Sequence, residues 1–310
     1  MYFPYLRSRQ SELLALLDIS DEILQNNSPI PIIELVDIEI RNINRIRRFA
    51  ARESPYIIIA NSMVGKIPYP VQDISTSFFS IEEIRSSQVI VGFVLHRNLS
   101  SQNLRTLLSM YGDFPKAFIH LTDYNSNFLI DQITANDIQQ PYHIFDQTRT
   151  SENYRVAHPS TQKVILRDGF TFYSPNSEYP DENTFCSNPL NFRNLGYIGC
   201  SDFAIVGDRY TQGGGTPLTI ALHLTVLEES DVKVYHFLSD TRTGRRNPGG
   251  KYIEALTHLF NFLQTRQLTG STGGIVDFEA DFRTSHYPGL PGAKQKSIRH
   301  HIELLSSICS

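Results

Sequence analysis

Short, almost uninterrupted Ile/Val-rich runs recur along this chain and constrain its fold more than any other feature. They are YFPYL at 2–6, IPIIELV at 30–36, YIIIA at 56–60, VIVGFVL at 89–95, KAFIHL at 116–121, YHIFD at 142–146, KVILRD at 163–168 and DFAIVGD at 202–208. Helix-sized segments separate most of them. Strands that are apolar on both faces belong to parallel sheets covered by helices. Eight such units point to an α/β fold of the (β/α)8 TIM-barrel-like kind, for which roughly 250 residues is a typical length. The 310 residues of this chain accommodate that in a single barrel-like domain, 1–310. An open doubly wound sheet is the rival arrangement.

Two stretches depart from the repeat. Residues 169–201 are rich in Pro, Asn, Ser and aromatics, have no helical period, and read as a long irregular insertion of the sort that often carries function. From 217 to 238 the period changes to two, with Leu218, Ile220, Leu222, Leu224 and Val226 alternating against Thr219, Ala221, His223 and Thr225, a β-hairpin pattern turning at Glu229-Ser230. C-terminal helices are expected over 250–308, the first from the amphipathic KYIEALTHLFNFLQ.

A formal net charge of -4 gives no nucleic-acid signature, and the basic run from Arg41 to Arg48 reads as a solvated helix surface. No apolar run approaches the roughly 18 residues of a membrane span. Three scattered cysteines without a CxxC make no disulfide framework, so a cytoplasmic setting is expected.

In a parallel barrel the C-terminal ends of the strands line the functional face. Those ends carry Arg7, Glu34, Asn61, His96, Thr122-Asp123, Asp146, Arg167-Asp168 and Asp208-Arg209. Glu34, Asp146 and Asp208 are the candidate catalytic carboxylates. Glu34 is flanked by apolar residues and calls for a partner, Arg7 or another strand-end cation being the expected one. Arg7, Asn61 and Arg167 are candidates for holding an anionic substrate. Gly213, Gly214 and Gly215 form a run whose backbone could cradle phosphate, although neither GxxxxGK[ST] nor GxGxxG is present, and a plain turn into the hairpin is the reading the residues favour.

If the hairpin turns at Glu229-Ser230, His223 lies opposite His236 with Cβ atoms roughly 4.5–5.5 Å apart. With Asp240 they could ligate a divalent metal such as Zn²⁺, Mn²⁺ or Fe²⁺. A solvent-facing histidine pair, or a one-residue slip in register, is the alternative. There is no GxSxG elbow for a serine nucleophile.

The phrases MYFPYLRSRQSELLAL, KVILRDGF, FAIVGDRYTQGGG, VYHFLSD, GGKYIEAL and HYPGLPGAKQKSIRHHIELL together resemble a bacterial family without an established activity, itself similar to the beta-protein family of phages and bacteria. The resemblance spans residues 1 to about 305, with Ser8 where a glycine is usual. It implies a barrel protein of phage-defence or mobile-element systems, encoded beside a second small protein that would be its partner. It brings no catalytic residue with it. Two function classes follow: a hydrolase or transferase acting on a phosphorylated or nucleotide-like ligand, or a non-catalytic recognition or scaffold subunit of a two-component defence system.

Overall fold

The computed structural model describes residues 1–26, 29–37, 39–65, 78–211 and 215–310. Eight parallel strands close into a barrel: β1 (Tyr2–Arg7), β2 (Ile32–Glu34), β3 (Tyr56–Ile59), β4 (Val89–Leu95), β5 (Lys116–His120), β6 (Tyr142–Asp146), β7 (Lys163–Leu166) and β9 (Gly199–Asp202). β9 closes the seam between β7 and β1. The barrel expected from the recurrent apolar runs is therefore the fold.

Alternation along each strand sorts side chains into two cores. Phe3, Tyr5, Ile57, Ile119, Ile144 and Val164 fill the interior, while Leu6, Ile58, Val91, Phe118 and Ile165 face outward to the helices. Gly92 sits among interior residues of β4, where an added Cβ would stand 2.7 Å from Ile57 Cγ2 and 2.8 Å from Ile59 Cδ1. The isoleucines of β3 fill that space, so the glycine is a packing requirement.

Outer helices include α1 (Gln10–Leu17), α2 (Asp21–Asn26), α3 (Ile40–Ala50), α4 (Glu82–Arg85), α5 (Ser101–Met110), α6 (Ser126–Ala135) and α7 (Glu152–Ala157). Several start at side-chain caps, as where Ser100, Asn125 and Ser151 accept from backbone N–H groups of the first turn.

Two expectations need correction. The run DFAIVGD at 202–208 does not continue as a strand. Asp202 Oδ1 accepts from the Ala204 N–H at 2.7 Å, Ala204 takes φ +48°, and a 3₁₀ turn spans Ala204–Val206. Local capping by a carboxylate competes with extension. The eighth barrel strand lies just upstream, inside the stretch expected to be irregular. That stretch also holds β8 (Glu182–Cys186) and α8 (Asn188–Asn191). β8 is half polar and lies at a sheet edge, which hides it from any reading based on apolar runs.

The hairpin forms as expected, from β10 (Ala221–Glu228) and β11 (Asp231–Leu238), and β8 adds to β11 as a third antiparallel strand. One face of this sheet, with Leu222, Leu224, Tyr235 and Phe237, packs on α9 (Pro248–Thr265) and α10 (Gly273–Thr284). The last helix, α11 (Gly289–Cys309), packs against α1, α10 and β10. The Nε2–H of its His301 donates to Asp202 Oδ1 (3.1 Å) and Nδ1 meets Thr225 Oγ1 (3.1 Å), so one buried ring ties the barrel seam to the hairpin. No helix among the described residues is long and apolar enough to cross a membrane.

Candidate functional site

β1 ends in Arg7 at the C-terminal mouth of the barrel, and its buried guanidinium reaches across to the 203–208 turn. Nη1 donates to the Gly207 carbonyl at 3.0 Å, and Nη2 reaches the Asp208 carbonyl and, at 3.5 Å, Asp208 Oδ1. Gly207 takes φ +74°, a conformation that favours glycine and that turns its carbonyl toward Arg7. Asp208 Oδ2 is paired with Arg149, whose Nε lies 3.5 Å from Asp146 Oδ2. Asp146 is buried at the end of β6 and accepts at Oδ1 from Thr148 N–H (2.9 Å), Thr148 Oγ1 (2.7 Å) and Arg149 N–H (3.1 Å). Opposite charges thus alternate around the mouth in the order Asp146, Arg149, Asp208, Arg7.

Glu34 is buried at the end of β2, but Arg7 is not its partner. Its oxygens accept from the Tyr5 hydroxyl (3.2 Å), Ser62 Oγ (3.2 Å) and the Met63 N–H (2.8 Å), neutral donors that satisfy a buried carboxylate without a cation. Asn61 is also tied to the scaffold. Its side chain donates to the Val94 carbonyl (2.9 Å) and accepts from the Val94 N–H (2.7 Å), extending the β3–β4 ladder past the last backbone pair. Arg167 is exposed at the end of β7.

Beside the mouth lies a cavity of about 270 Å³, floored by the barrel and walled by the hairpin, α1 and α11. Of the candidate strand-end residues, Arg7 and Arg209 line it. Its cationic wall is completed by Arg9 and Lys294, and Glu12 is the carboxylate among the described lining residues. Phe170, Phe172, Tyr179 and Tyr210 supply aromatic surface. The Arg9 guanidinium stacks 4.7 Å over Tyr210, and Arg209 stacks 5.1 Å over Phe172. Cation–π stacking of this kind fixes a guanidinium plane while leaving its N–H edge to meet a ligand.

Burial pushes the Glu12 carboxyl up, against the pull of Lys294 and of the Arg7 N–H, which donates to Glu12 Oε2 at 2.5 Å. Burial likewise pushes the Lys294 ammonium down, with Glu12 holding it up. Two buried polar atoms here, Arg7 Nε and Glu12 Oε1, have no hydrogen-bond partner among the described residues. A ligand entering here could supply the hydrogen bonds these atoms lack.

Gly213 and Gly214 lie outside the described residues. Gly215 has open space around it, with Arg245 4.0 Å from an added Cβ, and Thr211 and Pro217 on either side of the run line the cavity.

The hairpin register places His223 opposite His236, and their Nδ1 atoms are 2.7 Å apart. His236 Nε2 lies 3.0 Å from Asn183 Oδ1, an acceptor, so His236 carries its proton on Nε2 and receives the His223 Nδ1–H at Nδ1. His223, which lines the cavity, is left with a lone pair on Nε2. Burial, then His236, holds its pKa well below the usual histidine range, and burial brings His236 to about 4. Asp240 does not join this pair. It is exposed and meets His258 Nε2 at 3.0 Å, and among the described residues the three expected ligands form no convergent group. The strand carrying His236 ends at Leu238, and the chain then turns away toward α9.

Arg9, Arg209, Lys294 and Glu12 escape a reading confined to strand ends and hairpin histidines, except that Arg209 was reached as the neighbour of Asp208. Arg9 and Glu12 sit in and before a helix, and Lys294 arrives from a helix far along the chain. Only the cation-rich phrase LRSR beside SELL hinted that the first turn contributes. No family model matches this chain, and neither a curated protein nor a solved structure matches it.

Proposed function

We propose that this protein binds a small phosphate-bearing molecule in the cavity beside the barrel mouth and acts on it by hydrolysis or group transfer. The observation that carries the reading is the cavity's charge: four cationic side chains against one carboxylate among the described lining residues. Guanidinium groups match phosphate oxygens in pairs, and the half-buried Lys294 adds a point charge. The aromatic surfaces suit a flat or apolar remainder of the ligand, as in a mononucleotide. For the chemical step the cavity offers His223 Nε2 as a proton acceptor and Glu12 with Lys294 as a carboxyl–amine pair. Glu34, Asp146 and Asp208 serve instead to brace the mouth, since their oxygens are taken up by scaffold donors.

Calorimetric titration with inorganic phosphate, then with a panel of mononucleotides and sugar phosphates, tests this reading. Binding is expected for at least one phosphate-bearing compound. Arg9→Gln and Lys294→Gln are each expected to weaken it by about tenfold or more, the loss of one charge-assisted contact. A folded protein that binds nothing in the panel would sink the proposal. Retention of a second polypeptide through purification would then favour the scaffold reading, for which the exposed Leu190 and Leu195 of the 169–201 segment offer apolar contact surface.

A further inference from the structure

A second group of histidines lies on the other side of the barrel wall, away from the cavity. His120 ends β5, His143 lies near the start of β6, and His158 follows α7. Because Ala117, Ile119 and Ile144 face the barrel interior, His120 and His143 face outward, under α7. All three rings are buried. One nitrogen from each converges, the three lying within 4.8 Å of one another. His120 Nε2 and His143 Nδ1 are 3.0 Å apart. His158 Nε2 is buried without a hydrogen-bond partner among the described residues.

Two of these features are hard to explain by packing alone. Three imidazoles with converging nitrogens can share only a limited number of protons, and a buried nitrogen left without a partner is destabilising. Tyr154, on α7, supplies a third feature. Its hydroxyl meets His120 Nδ1 at 2.7 Å, and if it accepts there, Nδ1 holds the proton and Nε2 turns its lone pair to the centre of the group. Fixing the ring and tautomer of a ligating histidine through its other nitrogen is the usual office of an outer partner in a metal site. Burial keeps His158 uncharged, its pKa brought to about 4, and keeps His120 and His143 neutral as well, which is the form that ligates.

We propose that His120, His143 and His158 bind a zinc-like divalent ion that pins α7 and the segment after it to the barrel wall. Three neutral nitrogens suit Zn²⁺, whose Zn–N bonds of about 2.0–2.1 Å set neighbouring ligand atoms roughly 3.3 Å apart in a tetrahedron. The His120–His143 pair at 3.0 Å is already close to that spacing and the His158 nitrogen lies within 4.8 Å, so ring movements complete the set. The fourth position is left to water or another small ligand. Lys163 lies close enough to depress His143 and His158, and its charge weakens the site for a dication without displacing any ligand.

The test is a Co²⁺ titration of chelator-treated full-length protein, followed by the visible d–d bands, with Zn²⁺ as competitor. One ion per chain with a tetrahedral, nitrogen-type spectrum is expected, displaced by Zn²⁺. His158→Ala is expected to lower affinity by about 100-fold or more, while His258→Ala, at an exposed ring, leaves it unchanged. Should His158→Ala fail to fold, X-ray absorption on the zinc-loaded wild type decides, three imidazole ligands being the expected shell. A folded wild type that takes up no ion, a His158→Ala variant that binds as well, or a sulfur-containing shell would each overturn the assignment.

Discussion

At the hairpin, His223 and His236 face each other across one rung of β10–β11, and Asn183 of β8 takes the outer nitrogen of His236 at 3.0 Å. At the barrel wall, His120, His143 and His158 come from two strands and a helix end, and His158 Nε2 is buried without a partner among the described residues. Both assemblies hold ring nitrogens within 3.0 Å of each other, and burial lowers the pKa values in both. The difference lies in closure. At the hairpin the proton chain ends on an amide oxygen, and the remaining lone pair, on His223 Nε2, faces the cavity. The barrel-wall group ends on a buried ring nitrogen, His158 Nε2, that no described residue meets. Proximity of histidines therefore says little until each remaining nitrogen is accounted for.

Acid should expose the largest effect. His236 and His300 both have pKa values of about 4 in the folded chain, lowered by burial, whereas an unfolded histidine titrates near 6.5. Their contribution is fully present above pH 6.5 and is lost as pH falls toward 4, because the unfolded chain takes up protons first. The loss amounts to about 3 kcal/mol for each ring. Urea unfolding between about pH 7 and pH 4 checks this, and His236→Asn should flatten the slope. An unchanged slope in that variant would show that the pair is not held neutral by its setting.

A smaller effect separates the two assemblies. Tyr154→Phe removes the hydroxyl at His120 Nδ1 and should cost about 1–2 kcal/mol without metal, together with a measurable fall in Co²⁺ affinity. If stability falls and metal affinity does not, Tyr154 is only a packing partner. The smallest change is expected for Asn183→Ala, about 1 kcal/mol, from loss of the acceptor at His236 Nε2. Because the hairpin pair lies beside the cavity, that variant should also shift the pH profile of ligand binding, whereas Tyr154→Phe should not.

The same contrast explains what could be read from the chain. His223 and His236 were legible because a two-residue turn and alternation of period two determine who faces whom. Strands such as VIVGFVL were legible because burial on both faces leaves an unbroken apolar run. β9 was misplaced by a few residues because Asp202 caps the next turn with its own side chain, a contact that residue type alone does not announce. β8 was missed because an edge strand bearing Glu182, Asn183 and Thr184 has no apolar pattern to show. The cavity wall and the histidine trio join residues far apart in sequence, and only the closed barrel brings them together. Arg9 and Lys294 line one cavity from the start of α1 and from α11, and His158 meets His120 across α6 and α7.

The placement of β8 has a consequence for modularity. This strand belongs to the connection between two barrel staves, yet its hydrogen bonds go to β11 of the hairpin sheet. The polypeptide thus passes from barrel to sheet, back to the barrel seam at β9, and out again. A gene truncated between the seam and the hairpin would leave β8 an edge without a neighbour and remove the α11 wall of the cavity. Such a chain could not be trimmed to a bare barrel by one cut, nor could the sheet be transplanted as a contiguous cassette. Any recombination that preserved both halves would have to cross the seam twice.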